Sequence, residues 1–87
     1  MAGQGSAAKR HRQSERRRVR NRAVRSQVRS SIRKFLAAVH TNNREQASDQ
    51  LKSVTQLIDS AAHKGVYHKN TAARTKSRLT RKLNTMQ

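Results

Sequence analysis

The stretch VRSQVRSSIRKFLAAVHTNN, residues 24–43, decides the fold. Its apolar members Val24, Val28, Ile32, Phe35 and Val39 are spaced by four, four, three and four residues. At about 100° per residue, these positions share one narrow stripe of an α-helix. Leu36 widens the stripe, and the polar run Thr41-Asn42-Asn43 ends it. The chain contains no proline, so nothing forbids a long helix. The pattern predicts one from about residue 7 to about residue 40.

The reading then extends downstream. Asn43 is an N-cap candidate, and Gln46 stands at the third helical position, as in a capping box. Ala47, Leu51, Val54, Ile58 and Ala61 follow at spacings of four, three, four and three. They predict a second amphipathic helix over about 44–63. Gly65 can take the left-handed conformation just past its end. Val66-Tyr67 form a short link. A third helix is predicted over about 69–86, with Asn70 read as its cap in preference to a base-reading role. Ala72, Leu79, Leu83 and Met86 mark its apolar face. Connections this short place neighbouring helices antiparallel. The fold class is therefore all-α: one domain over residues 1–87, an antiparallel three-helix bundle, with residues 1–6 as a disordered tail.

The helices do not match in length. A 20-residue second helix spans roughly 30 Å, whereas the first exceeds 30 residues. On the helical wheel Arg17 falls on the line of Val28 and Ile32, so the apolar stripe stops near Asn21. Upstream, basic residues surround the axis, and Val19 points to the opposite side with no intramolecular partner. Residues 7–21 read as a basic projection beyond the bundle, too short to be stable as a helix alone.

Composition pulls against periodicity. Only 14 of 87 residues are Leu, Ile, Val or Phe, and the net charge is +17. Those values alone indicate disorder. Free in water, residues 1–20 are expected to be disordered and the bundle only partly formed. The absence of cysteine excludes disulfides and thiolate metal sites. His63 and His68 bracket the turn, with His11 and His40 elsewhere, and this spacing supplies no zinc site. No metal and no cofactor are expected. The four carboxylates are scattered, without a nucleophile or base arrangement, so no enzymatic activity is expected. No apolar run approaches the ~20 residues of a membrane span, and MAGQGSAAKR lacks a hydrophobic signal core. The expectation is a soluble intracellular protein.

The charge is segregated. Residues 1–43 hold 12 basic and 1 acidic residue; residues 44–64 hold 3 of each; residues 65–87 hold 6 basic and no acidic residue. The middle helix is neutral, and the first and third carry the excess. Arg18, Arg22, Arg25, Arg29 and Arg33 form a stripe beside the apolar seam. Arg74, Arg78, Arg81 and Lys82 lie on one side of Leu79 and Leu83, with Lys69 and Lys76 on the other. A single charged stripe is ordinarily a solvated face. Two stripes around a neutral helix point to a polyanion. The first 43 residues use 10 arginines against 2 lysines, and guanidinium can bond two phosphate oxygens and stack on bases. That favours nucleic acid, with RNA and DNA both open on composition. Tyr67 can stack on a base or pack over the helix ends, and both readings stand. The Ala72-Ala73 pair permits close approach of a helix, the favoured reading, or of an RNA backbone. A basic leucine zipper is excluded because the apolar repeat stops after Val39. A membrane-active cationic helix leaves two further capped amphipathic helices unexplained.

One segment is more specific. KGVYHKNTAARTKSRL, residues 64–79, closely resembles the signature of the bacterial small-subunit ribosomal protein twenty family. Lys-Gly, two apolar or aromatic residues, His-Lys-Asn, Ala-Ala-Arg, Lys and Leu recur there in this order. SAAKRHRQSERRRVRNRAVRSQVR is similar to the family's first helix. The chain departs at Gly5, where the family commonly has lysine, and at Asn42-Asn43, where it often has Gly-Asp. The resemblance implies a structural constituent of the small ribosomal subunit, in the cytoplasm. Such a protein binds ribosomal RNA, mainly its 5′ domain, and packs several RNA helices together early in assembly. It also implies a monomer with few or no protein contacts. Carried over by position, His68, Lys69, Asn70, Arg74 and Lys76 are candidate RNA contacts, and Lys9, Arg10, Arg12, Arg16 and Arg17 fit the basic first helix. Arg18, Arg20, Arg22, Arg25, Arg29, Arg33, Arg78, Arg81 and Lys82 complete the candidate set. The alternative is a general basic nucleic-acid-binding protein not incorporated in ribosomes.

Overall fold

The computed structural model describes residues 2–86, with side chains described from residue 7. It contains three helices, α1 (Ala2–His40), α2 (Arg44–His63) and α3 (Lys69–Asn84). The first begins at Ala2, upstream of the start expected near Ala7. Residues 2–6 of the expected tail therefore carry helical backbone, while Met1 lies outside the described residues. Ala2, Ala7 and Ala8 favour helix, and the two glycines between them cost about 1 kcal/mol each without forbidding it. The third helix stops two residues short of its expected end, with Thr85 as its C-cap.

Backbone chemistry at the two turns explains the antiparallel path. After α1, Asn42 takes φ 59°. Its N–H donates to the Val39 carbonyl, and the Asn43 N–H donates to that of Ala38, both at 3.0 Å. This pair of bonds is a Schellman stop with asparagine in the left-handed position. Asn43 then caps α2, its side-chain oxygen accepting from the Gln46 N–H at 3.1 Å. The reciprocal half of a capping box is altered. Gln46 Oε1 accepts from the Asn43 side-chain amide at 3.2 Å, because the Asn43 backbone N–H is committed to Ala38. The same stop recurs after α2. Gly65, at φ 80°, donates to Ala62 at 3.1 Å, and Val66 donates to Ala61 at 2.9 Å. Val66 is buried over the helix end it closes.

The cap of α3 differs from expectation. It is His68, whose Nδ1 accepts from the Asn70 N–H at 3.1 Å. His68 has extended backbone (ψ 146°), the conformation an N-cap requires. Asn70 already lies inside the helix and cannot serve as its cap.

The neutral helix α2 is the centre of the bundle. Both α1 and α3 pack on it, and they scarcely touch each other. Three long-range contacts register the helices. An Arg20 guanidinium nitrogen donates to the Lys64 carbonyl at the end of α2, at 3.4 Å. Arg44, in the first turn of α2, donates to the Met86 carbonyl at 2.9 Å. Lys76 of α3 pairs with Asp59 of α2. The Arg44 bond places a cation at the negative end of α3, which offsets its unfavourable position at the positive end of α2.

The core follows a seam slightly rotated from the one expected. Its α1 members are Val28, Ser31, Phe35 and Ala38, all buried, whereas Val24, Ile32 and Val39 are half-buried at its edge. Leu36 is 37% exposed and contributes little. Ser31 and Ala38 were invisible to a search for large apolar side chains. With Ala47 and Ala61 of α2, also buried, they let the two axes approach closely. Phe35, Val54 and Ile58 are the largest fully enclosed side chains. Ala72 and Leu79 are buried on α3, and Met86 closes the bundle just past its end.

Candidate nucleic-acid interface

α1 has two unequal halves. Every residue from 7 to 20 is exposed, and burial begins at Asn21, where the apolar stripe was expected to stop. The molecule is consequently elongated, 66 × 21 × 13 Å. About 58 Å of that length is what 39 helical residues span at 1.5 Å each. Lys9, Arg10, Arg12, Arg16 and Arg17 stand on the projecting arm, fully surrounded by solvent. Val19, 65% exposed, points away from the bundle as expected.

The arginine stripe lies where the spacing placed it. Arg17, Arg18, Arg22, Arg25 and Arg29 line an open groove of about 740 Å³ along α1. Arg33 continues the line and is exposed. Shallower hollows on the arm are walled by Arg10, Arg16, Arg17 and Arg20. Among the described residues the ion pairs are two, Arg18–Glu15 at 3.7 Å and Lys76–Asp59. The first is highly exposed on both sides and worth at most about 1 kcal/mol. It leaves the charge of the groove available.

Residues 1–43 and 65–87 appeared in sequence as two separate basic regions. The structure brings part of each to the same side. A slot of about 100 Å³ opens between α1 and α3, lined by Val28, Arg29 and Ile32 of α1 and by Thr71, Ala72 and Thr75 of α3. Ile58 of α2 and Tyr67 of the α2–α3 connection also line it. Arg29 thus belongs to both the arginine groove and the slot. On α3, exposed Arg74 and Arg78 each follow a slot threonine, Thr71 and Thr75, by three residues, which makes each a neighbour of that threonine on the helix surface. Arg81 and Lys82, one turn further, are exposed as well.

Besides Arg18 and the capping His68, two candidates are engaged with other helices of the protein. Arg20 reaches the C-cap carbonyl of α2, and Lys76 braces α2 against α3 through Asp59. His68, Lys69 and Asn70 are exposed at the start of α3. Because His68 Nδ1 accepts the capping bond, its proton sits on Nε2, which is left as an outward donor. Tyr67 is half-buried and packed against the core, so the packing reading holds, while one side of it borders the slot. Ala72 is buried and Ala73 exposed, which assigns the first to helix packing. The slot with Thr71 and Thr75 was not foreseen, since nothing in a linear pattern shows that α1 and α3 leave a gap over α2. Among the described residues no cluster of three or more His, Asp or Glu side chains could hold a metal ion. No described helix is long and apolar enough to cross a membrane.

Fold and charge together define a class: a small all-helical polycation with one neutral packing helix and an arginine-rich arm. Comparison with known proteins identifies the family. The family model described as ribosomal protein S20 matches residues 2–84. The small ribosomal subunit protein bS20 of Treponema denticola is 53% identical over 74 residues, covering 85% of this chain and 83% of that one. The bS20 proteins of Clostridium botulinum and Syntrophobacter fumaroxidans are 50% and 44% identical over 86 residues, covering 99% of this chain and 99% and 100% of theirs. The chain belongs to the ribosomal protein S20 family, whose members are structural proteins of the ribosome and not enzymes.

Proposed function

We propose that this protein is a structural constituent of the small ribosomal subunit, in the cytoplasm, that binds ribosomal RNA directly, mainly within the 5′ domain. It acts as a monomer with few or no protein contacts and holds several RNA helices together during assembly. The observation that carries this reading is the placement of charge. Arg29 of the arginine groove also lines the slot between α1 and α3, Arg74 and Arg78 are exposed one turn beyond its threonines on α3, and neutral α2 packs against both basic helices.

The chemistry follows from that arrangement. A helical arm without intramolecular partners can lie along phosphate backbones that diverge from the bundle. Guanidinium groups spaced by three and four residues meet successive phosphates and displace condensed counterions. RNA segments that would repel each other are then held on opposite sides of one helix. Duplex RNA hides its base edges in a deep major groove, so shape and phosphate placement supply most of the selectivity. His68 Nε2, Lys69 and Asn70 add a contact at the start of α3. The arm gains its lasting helical order from the RNA, because isolated helices of this length are marginal in water.

The test is salt-dependent binding to refolded small-subunit ribosomal RNA with equal-length duplex DNA as competitor. Binding that survives excess DNA, with affinity falling steeply as salt rises, is the expected result. Displacement by the DNA would mean a general nucleic-acid-binding protein.

A further inference from the structure

We propose that the slot between α1 and α3 receives one unpaired nucleobase of the bound RNA, stacked beside Tyr67. This rests on the reading that the chain binds RNA. The slot holds about 100 Å³, well below the 300–1,000 Å³ of ordinary small-ligand pockets, so it suits a single flat ring. Ile58, 1% exposed, lines it with Val28, Ile32 and Ala72, all apolar. These surfaces, with the Tyr67 ring, fit the flat face of a base.

The polar atoms of the slot point the same way. On α3, the hydroxyls of Thr80 and Thr85 bond back to the Lys76 and Lys82 carbonyls at 2.9 and 2.8 Å. The hydroxyls of Thr71 and Thr75 make no hydrogen bond among the described residues, and both threonines line the slot. Each can donate to or accept from the edge of a base. Charge selects a nucleotide over an apolar protein side chain. Arg29 lines the slot on the α1 side, and Arg74 and Arg78 are exposed one helical turn beyond Thr71 and Thr75 on α3, so cations stand near the phosphates of an inserted nucleotide. Unpaired, splayed bases stacked on aromatic rings or guanidinium planes are the usual means by which proteins read RNA sequence.

Tyr67 is the only tyrosine and the chain has no tryptophan, so the intrinsic emission of the whole protein reports on this slot. Titration with refolded small-subunit ribosomal RNA should quench most of that emission, whereas duplex DNA at matched absorbance should not. Thr75→Leu fills the slot without changing charge. It should lower affinity for the ribosomal RNA about tenfold, with the dependence on salt unchanged and the tyrosine emission retained on binding. Wild-type binding without quenching overturns the proposal and leaves the RNA-binding function intact, as does a folded Thr75→Leu that binds like the wild type. The quenching experiment stands even where that variant fails to fold. Failure of the wild type to prefer ribosomal RNA over DNA would remove both readings together.

Discussion

The two halves of α1 share one backbone geometry, with six arginines among residues 7–20 and four among residues 21–40, yet they are held by different forces. From Asn21 to His40 the helix rests on α2 through Val28, Ser31, Phe35 and Ala38. From residue 7 to residue 20 every side chain is exposed. Burial against α2 holds the first half. The second has intrinsic propensity and an exposed Glu15–Arg18 pair in place of tertiary packing. In one half arginine decorates a face already defined by packing; in the other it is the whole surface. Substitutions should therefore sort cleanly, with packing changes acting on the free protein and arm changes acting on the complex.

Phe35→Ala should break the packed half most severely. The ring is fully enclosed, and emptying such a site costs about 3–5 kcal/mol. A core of this size supplies about 3–5 kcal/mol in total, so the free variant should show no cooperative thermal transition by circular dichroism. RNA at high concentration should restore part of the helical signal. A cooperative melt close to the wild type would mean that the enclosed core is not what holds α1 to α2.

Arg25→Glu with Arg29→Glu comes next. Both residues line the groove, and Arg29 also reaches the slot. Reversing two charges should weaken binding to ribosomal RNA by about a hundredfold or more and reduce the salt slope by roughly 1.5–2. The melting of the free protein should hardly move, or rise, because self-repulsion falls. Arg10→Gln, Arg12→Gln and Arg16→Gln together sharpen the contrast. They should lower the salt slope by roughly 2–3, with the free-protein stability unchanged within about 0.5 kcal/mol. Equal destabilisation of the free protein would show that the arm packs after all.

Much of this division was legible in residue spacing. The apolar repeat placed α1 and α2, and its end at Asn21 marked where packing gives way to projection. Gly65 announced its own stop, because left-handed backbone is cheap for glycine. Asn42 did not announce itself as clearly: asparagine is tolerated there but is common in many other settings. His68 as a cap was missed because imidazole is not a frequent capping group, and Asn70 two positions on is the better candidate by type. Ser31 and Ala38 were missed because a seam of small residues has no hydrophobic signature. The slot depends on the angle at which α1 and α3 leave α2, a tertiary quantity that no local pattern encodes. The candidate contacts followed charge and motif position, and neither shows that Lys76 is bound to Asp59 while Arg74 is exposed.

Gly65→Ala gives a smaller, purely backbone effect. A Cβ built there meets nothing within 4 Å, so no steric clash contributes. The residue sits at φ 80°, and an L-residue in that region costs about 1–2 kcal/mol. The melting temperature should fall by roughly 4–12 °C in a domain of this length, with RNA affinity reduced only as far as the bundle is less populated. A loss of affinity well beyond that population would place the turn itself against the RNA.

The smallest effect should come from Lys52→Glu, and it tests the comparison from the opposite side. Lys52 is exposed on α2, outside the residues lining the slot and the arginine groove. The substitution changes net charge by two, as reversal of one groove arginine does. If RNA responded to total charge, affinity and salt slope would fall comparably. If it responds to where charge is placed, the slope should stay within error of the wild type and affinity should fall less than threefold, about 0.6 kcal/mol at the rim of an electrostatic field. A loss matching that of a single groove substitution would mean that α2 faces RNA too, and the neutral helix would cease to be only the scaffold between two basic ones.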